Sequence, residues 1–299
     1  MRKLVIMMLM LFMSHQLFCA EKKVPRNPGT RTVAATWLHR YVPQIPEKAV
    51  DISTGSCHYK PIFGVGDSAT SSVRSVARYG EVTVDPNGSC KEVSYPREEQ
   101  IYYILDGKGL LNYGGQKAAV GEGDFMYLPP GIGHDISNNS HNLCRLIIMG
   151  FTIPPGTAIS VPSKLQLANV QDVKEQMDVG HPASVLYRLL LGNREGTHDK
   201  IDCGIVVTSL FLMDFAPGGT NLPHRHEIAE EIYLVLDGHG MIVAGGGMNG
   251  VEGLHAGVAR DAYFFRPNCT VGFYNSQGGK AHILAVRSWV PLPPRDYEN

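Results

Sequence analysis

The chain has 299 residues, 43% of them hydrophobic and 18% charged, with a formal net charge of −1. That balance is typical of a soluble globular protein and gives no support for nucleic-acid binding, which needs a basic footprint. The 33 glycines and 19 prolines suit an all-β chain with many turns, and the length is enough for two domains.

Residues 1–20 read as a secretory signal peptide. Arg2 and Lys3 form a basic start, Leu4 to Met13 an apolar run, and Cys19-Ala20 a small-residue end before Glu21. The run is too short for a transmembrane span, so the mature protein is expected to be exported, periplasmic or extracellular. Phe18 is bulky for a cleavage site, and an uncleaved anchor is the alternative. Cys57, Cys90, Cys144, Cys203 and Cys269 then remain. None has C-x2-C metal spacing, and free buried thiols are the expectation for most of them. Residues 21–75 form an N-terminal extension across the first domain, with a short strand at 31–37 and a loop-like stretch at 62–75.

The stretch 218–238 organises the rest. It holds Gly218, then His224 and His226 two residues apart, Glu231 five residues later, and Gly238 closing an apolar strand. Residues at i and i+2 on a strand share a face, so the two imidazoles point together. A turn through 227–230 can return Glu231 beside them. Glu230 points to the opposite face, because a one-residue slip reverses every side chain. Two imidazoles and a carboxylate make a metal-site constellation.

The spacing Gly218-x5-His224-x-His226-x4-Glu231-x6-Gly238 resembles the first motif of the cupin superfamily, whose members are small jelly-roll β-barrels. Residues 100–107 (Gln-Ile-Tyr-Tyr-Ile-Leu-Asp-Gly) echo residues 231–238 (Glu-Ile-Tyr-Leu-Val-Leu-Asp-Gly) 131 positions later. Two copies of one domain follow, not a solenoid, whose periods are far shorter. Downstream, residues 123–138 align with 260–275 at an offset of 137. The second copy therefore carries an insertion of about six residues, and the glycine-rich run 245–250 suits it as a hairpin loop. The resemblance implies an all-β chain of two tandem cupin-type barrels. Domain 1 is expected over 76–160, a short partly helical linker over 161–200, with a helix at 168–178, and domain 2 over 201–292. Residues 184–191 fit a strand or a helix equally well.

The two copies depart from the family pattern in opposite ways. Copy one keeps the second motif, Gly123-x5-Pro129-x-Gly131-x2-His134-x3-Asn138, but has Gln100, Tyr95 and Val93 where the first motif places its glutamate and histidines. His134, Gln100 and Tyr95 thus mark a vestigial site that holds no metal. Copy two keeps His224, His226 and Glu231 but has Val271 at the histidine position of the second motif, and Arg260, Arg266 and Asn268 at its glycine, proline and glycine positions. That leaves two histidines and one carboxylate, the set that keeps coordination positions open on non-haem iron. His282 is the leading candidate for an additional ligand, with His255, His239 and Cys269 behind it. Val271, Phe273 and Arg266 are expected to line the pocket. Tyr233, on the face of Glu231, is a candidate substrate or proton contact.

Resemblance to two-cupin dioxygenases and decarboxylases implies one divalent ion, Fe(II) or Mn(II) with Zn as an alternative, holding a small oxygenated organic substrate. The competing readings are a non-catalytic bicupin that binds a small ligand or sugar, and a structural metal clip, which would have four protein ligands and no open position. Monomer and oligomer both remain open.

Overall fold

The computed structural model describes residues 35–68, 72–246 and 252–290. The segment read as an export signal lies outside the described residues. Twenty strands are assigned among the described residues. Before the linker come β1 (Trp37–Tyr41), β2 (Cys57–Gly64), β3 (Val76–Val84), β4 (Glu98–Asp106), β5 (Lys108–Tyr113), β6 (Gln116–Gly121), β7 (Asp124–Leu128), β8 (His134–Ser137) and β9 (Cys144–Thr152). After them come β10 (Gln166–Asn169), β11 (Val185–Asn193), β12 (Ile201–Gly204), β13 (Val207–Phe215), β14 (His224–Arg225) and β15 (Ala229–Asp237). The chain closes with β16 (His239–Gly245), β17 (Glu252–Val258), β18 (Asp261–Phe265), β19 (Thr270–Asn275) and β20 (Ala281–Trp289).

These strands make two jelly-roll barrels, each a large sheet facing a small one. The first pairs β10-β7-β4-β9-β3-β2 with β6-β5-β8, and the second pairs β1-β18-β15-β20-β13-β11-β12 with β14-β19-β16-β17. The internal repeat maps β2–β9 onto β11, β13 and β15–β20. Gly107 and Gly238 close the same turn in both copies at φ 81° and 83°, a left-handed conformation that glycine adopts without steric cost. The insertion lies in the β16–β17 hairpin, where Gly245 pairs with Glu252, whereas Tyr113 pairs with Gln116 across a two-residue turn in the first barrel.

Alternation along the strands of the large sheets creates three cores. One face of β4 and β9 carries Tyr102, Ile104, Leu146 and Ile148 into the interior of the first barrel. In the second, Tyr233, Val235, Ile283 and Ala285 do the same, joined by Val271 and Phe273 from β19. The opposite faces meet each other: Ile101, Tyr103, Ile147 and Met149 pack with Ile232, Leu234, Leu284 and Val286 in one shared core. A sheet that buries both faces reads as a nearly continuous apolar run, which is why β9 and β20 show little alternation in sequence.

Reciprocal ties cross this interface. The strand β1, which precedes the first barrel, pairs with β18 of the second, and β10, which precedes the second barrel, pairs with β7 of the first. Glu99 is fully buried and accepts hydrogen bonds from the backbone N–H groups of Ile205, Val206 and Val207 at 2.7 Å each and from the Tyr127 hydroxyl at 2.8 Å. Its counterpart Glu230 accepts from the N–H groups of Arg74 and Ser75 at 2.8 Å and from the Ser75 hydroxyl at 2.6 Å. Each carboxylate thus satisfies backbone donors of the other barrel that burial would otherwise orphan.

Several expectations are corrected. The stretch 62–75 is not a loop throughout, because β2 runs to Gly64 and belongs to the first barrel's large sheet. Of the strand expected at 31–37, residues 31–34 lie outside the described residues; β1 spans Trp37–Tyr41 and joins the second barrel. No α-helix forms over 168–178, where β10 runs into a single 3-10 turn at Val170–Asp172; the apolar side chains Ala168, Val170 and Val173 pack against the shared core from an extended chain. Cys144, Cys203 and Cys269 are free, in line with the expectation for most of the cysteines, while Cys57 and Cys90 form a disulfide. No helix among the described residues is long and apolar enough to cross a membrane.

Candidate metal centre

The second barrel brings His224, His226 and Glu231 together, with one ligand atom of each within 4.8 Å of the others. His224 comes from the short strand β14, and Glu231 comes from β15, where alternation turns it into the barrel and Glu230 out to the interface. The turn before β14 is shaped by Asn221, whose buried amide donates to the Tyr233 hydroxyl at 2.9 Å and accepts from the Phe273 N–H at 2.8 Å. Leu222 then takes φ 54°, a backbone state that costs a non-glycine residue about 1–3 kcal/mol and that concentrates at functional sites.

Hydrogen bonding prepares the ligand atoms. His224 donates Nδ1–H to the Leu222 carbonyl at 2.9 Å. A carbonyl only accepts, so this bond assigns the proton to Nδ1 and leaves Nε2 with a free lone pair. Burial lowers the His224 pKa and favours the neutral ring that ligation requires. Burial alone would raise Glu231, but His226, Arg287 and His224 overrule it and hold the carboxyl below its usual range. His226 Nε2 and Glu231 Oε2 stand 3.3 Å apart, yet both are buried without a hydrogen-bond partner. The pair meets as an ion-pair contact without hydrogen-bond geometry, and with the free Nε2 of His224 it makes a donor set that suits a cation. The residues present fit a divalent ion.

The wall around them is apolar on one side and cationic on the other. Val271 pairs directly across from His224 in the β14–β19 ladder, and Phe273 is fully buried two residues on. Arg287, from β20, places Nε 3.7 Å from Glu231 Oε1 and lays its guanidinium 5.1 Å from the centre of the Phe211 ring. Its Nε is buried with no hydrogen-bond partner. Tyr233 lies inside the barrel with its hydroxyl engaged by Asn221, and burial pushes its pKa well above the ordinary value. Arg266 makes its backbone bond to Thr36 at the sheet end.

The structure does not bring the other candidate ligands to this centre. His282 lies on the face of β20 that leads to Leu284 and Val286, away from the barrel interior, and pairs with Asp214 at 3.0 Å. His255 packs on Trp37 with ring centres 4.2 Å apart, His239 is exposed, and the Cys269 thiol accepts from the Gly245 N–H. Sequence reasoning missed two neighbours of the centre, Arg287 and the linker residue His181. The ring of His181 is 5.1 Å from that of His224. The paired register between the copies was the signal for Arg287, because its counterpart is the conspicuous Gly150.

The same positions in the first barrel are filled differently. His134 and Val93 form the bridge that corresponds to Val271 and His224, so the histidine has changed strands between copies. His134 Nδ1 contacts the Ile132 carbonyl at 2.9 Å, Nε2 lies 3.4 Å from Gln100 Oε1, and burial lowers its pKa. The arginine has changed strands too: Arg78 pairs with Gly150, where the second barrel pairs Ser209 with Arg287. A Cβ at Gly150 would lie 1.9 Å from Glu98 Oε1 and 2.7 Å from Arg78 Cγ, so this close approach requires glycine. Arg78 donates to Glu98 at 2.7 Å and to Asp51 at 2.8 Å, with its guanidinium 4.1 Å from the centre of the Tyr95 ring. Tyr95 in turn donates to Asp51 at 2.8 Å. A permanent guanidinium thus occupies the centre of the first barrel, and its residues do not fit a metal ion.

Comparisons with known proteins agree with this architecture. A model of the cupin domain matches residues 80–150, within the first barrel. An uncharacterised protein of Methanocaldococcus jannaschii is 48% identical over 40 residues, which cover 13% of this chain and 32% of that one; the chain thus spans about a third of that relative's length. Among solved structures, a protein from Pseudomonas aeruginosa designated glyoxylate-induced is 16% identical, with 91% of this chain and 96% of that one covered at a TM-score of 0.68. The Escherichia coli protein YlbA is 15% identical, with 89% and 97% covered and a TM-score of 0.65. A formate complex of Lactobacillus farciminis oxalate decarboxylase is 12% identical, with 88% of each chain covered and a TM-score of 0.62. The chain thus carries a cupin domain in its first barrel, its second barrel repeats that strand order, and its fold is that of two tandem cupin-type barrels.

Proposed function

We propose that this chain is an exported, metal-dependent bicupin enzyme, dioxygenase- or decarboxylase-like, acting on a small oxygenated organic anion in its second barrel. The observation that carries the reading is the convergence of His224, His226 and Glu231, two of whose ligand atoms are buried without a hydrogen-bond partner, beside the half-buried Arg287. Those three residues would hold one divalent ion, Fe(II) or Mn(II) by the oxygen and nitrogen donor set, with Zn as the alternative. Bound there, the ion supplies Lewis acidity or dioxygen activation.

The chain's own residues do the rest. The Leu222 carbonyl fixes the His224 tautomer. Arg287 offers a fixed positive charge with a free N–H to a substrate carboxylate, a pairing that low dielectric strengthens. Val271 and Phe273 exclude water from that side. The fold is shared with oxalate decarboxylases, whose substrate is a small carboxylate, and this supports the substrate class. The Cys57–Cys90 disulfide supports export, since disulfides persist in oxidising compartments.

The second reading, a non-catalytic bicupin that only holds its ligand, is favoured by one observation: Tyr233, the candidate proton contact, is fully buried and burial pushes its pKa well above the ordinary value, which makes its hydroxyl a weak proton donor. Oxygen uptake and carbon dioxide release, measured with oxalate, other small carboxylates and small phenols, separate the two. Turnover that depends on added Fe(II) or Mn(II) and disappears in His226→Ala is the expected result. Tight, metal-dependent binding of a carboxylate without turnover would establish the binding module instead.

A further inference from the structure

In each barrel, the segment before the first strand reaches the barrel's centre. The registers Tyr59–Val82 and Tyr187–Met213 make β2 and β11 equivalent. In the first barrel the preceding segment delivers Asp51, whose carboxylate accepts from Arg78, the cation at that barrel's centre, and from Tyr95. In the second barrel the preceding segment belongs to the linker and delivers His181. The ring of His181 lies 5.1 Å from that of His224, which lies 4.9 Å from that of His226; His181 stands beside the 4.8 Å cluster of His224, His226 and Glu231 ligand atoms rather than within it, 5.4 Å from Tyr187.

The hydrogen bonding of His181 repeats that of a ligand. His181 Nδ1 lies 2.5 Å from the Asn221 carbonyl, and His224 Nδ1 lies 2.9 Å from the carbonyl of the next residue, Leu222. Consecutive carbonyls of one turn therefore fix both rings in the same tautomer, each with its Nε2 lone pair free. A ring N–H donated to a backbone carbonyl is the usual support of a metal-bound histidine. The position from which the second motif would send its own histidine is filled by Val271.

We propose that His181 is a fourth metal donor of the second barrel, delivered by the inter-barrel linker in place of the histidine absent at Val271. The proposal rests on the reading of His224, His226 and Glu231 as a metal site. It makes the linker part of the centre, so that the order of the segment before β11 depends on the ion, as Asp51 in the first barrel depends on Arg78.

The test is pulsed electron paramagnetic resonance on the full chain loaded with Mn(II), counting imidazole nitrogens coupled to the ion, together with Mn(II) affinity by chelator competition. Wild type, His181→Ala, His226→Ala and His282→Ala are compared. Three coupled imidazoles in wild type, two in His181→Ala with affinity at least tenfold weaker, and no change in His282→Ala are expected. Two imidazoles in wild type, with His181→Ala unchanged in count and affinity, would overturn the proposal while leaving the three-residue site intact. No Mn(II) binding by wild type overturns both the proposal and the site it rests on. Should His181→Ala fail to fold, the wild-type imidazole count alone decides.

Discussion

Glu99 reaches from the first barrel into the backbone of the second across the shared core. Its carboxylate serves three backbone N–H groups of the opposite barrel at 2.7 Å, plus the Tyr127 hydroxyl, at a site with no solvent exposure. A hydrogen bond to a charged group contributes about 1.5–3 kcal/mol, and each orphaned buried donor costs about 1–3 kcal/mol. The terms are not additive, because water entering the vacated volume can satisfy some donors. Glu99→Ala is therefore expected to cost about 3–5 kcal/mol, the low end of the sum over three orphaned backbone donors. Glu99→Gln keeps one acceptor oxygen but sets an amide N–H₂ against a backbone donor, and is expected to cost about 1–3 kcal/mol. Urea unfolding followed by tryptophan fluorescence and circular dichroism measures both changes. Hydrogen exchange at Ile205, Val206 and Val207 localises them. Glu99→Ala within 1 kcal/mol of wild type, or exchange at those three amides unchanged, would refute the claim that this carboxylate ties the barrels together.

Other consequences follow from named contacts. Reducing the Cys57–Cys90 disulfide, or replacing both residues with serine, releases a cross-link between positions 33 apart and is expected to cost about 3–4 kcal/mol by chain entropy, read from melting with and without reductant. Arg78→Met strips the cation from Glu98 and Asp51 in the first barrel; a loss of about 3 kcal/mol with unchanged metal content is expected, and altered metal content would show that the first barrel takes part in binding. The hydrogen bond to Asp214 raises the His282 pKa. A raised histidine contributes stability that is full below its unfolded value, about 6.5, and is lost as pH rises through the folded one. The side chain is 35% exposed, so solvent screening keeps the effect below about 1 kcal/mol. His282→Gln should lower the melting temperature at pH 5.5 and leave it unchanged at pH 8.5, and an equal loss at both values would exclude the ion pair as its cause.

The repeat made the two barrels legible. Matching apolar runs ending in Asp-Gly at 106–107 and 237–238 locate β4 and β15, and the distance to Gly238 together with strand periodicity separates Glu231 from Glu230. The same periodicity places Tyr233, Val235, Val271 and Phe273 inside the barrel; it groups His282 with Leu284 and Val286 without saying which face of β20 is inward, and the structure turns that face away from the centre, against the expectation of an additional ligand. Less legible were features set by long-range pairing. That Glu99 and Glu230 cross to the opposite barrel depends on how two sheets stack, and no local spacing encodes it. The exchange of β1 and β10 between barrels is hidden for the same reason, since short edge strands carry weak patterns. The helix expected at 168–178 failed because an extended chain lying on the shared core buries the same apolar residues. Arg78 and Arg287 stand on non-equivalent strands, so aligning the copies residue by residue conceals that each barrel has one arginine at its centre.

The central claim is that the second barrel holds a metal ion and the first does not. Elemental analysis of mature protein purified without chelator tests it most directly, with His226→Ala and Arg78→Met alongside. The account predicts one equivalent of Fe or Mn per chain in wild type and in Arg78→Met, and none in His226→Ala. A metal-free wild type, or metal retained in full by His226→Ala, would contradict it.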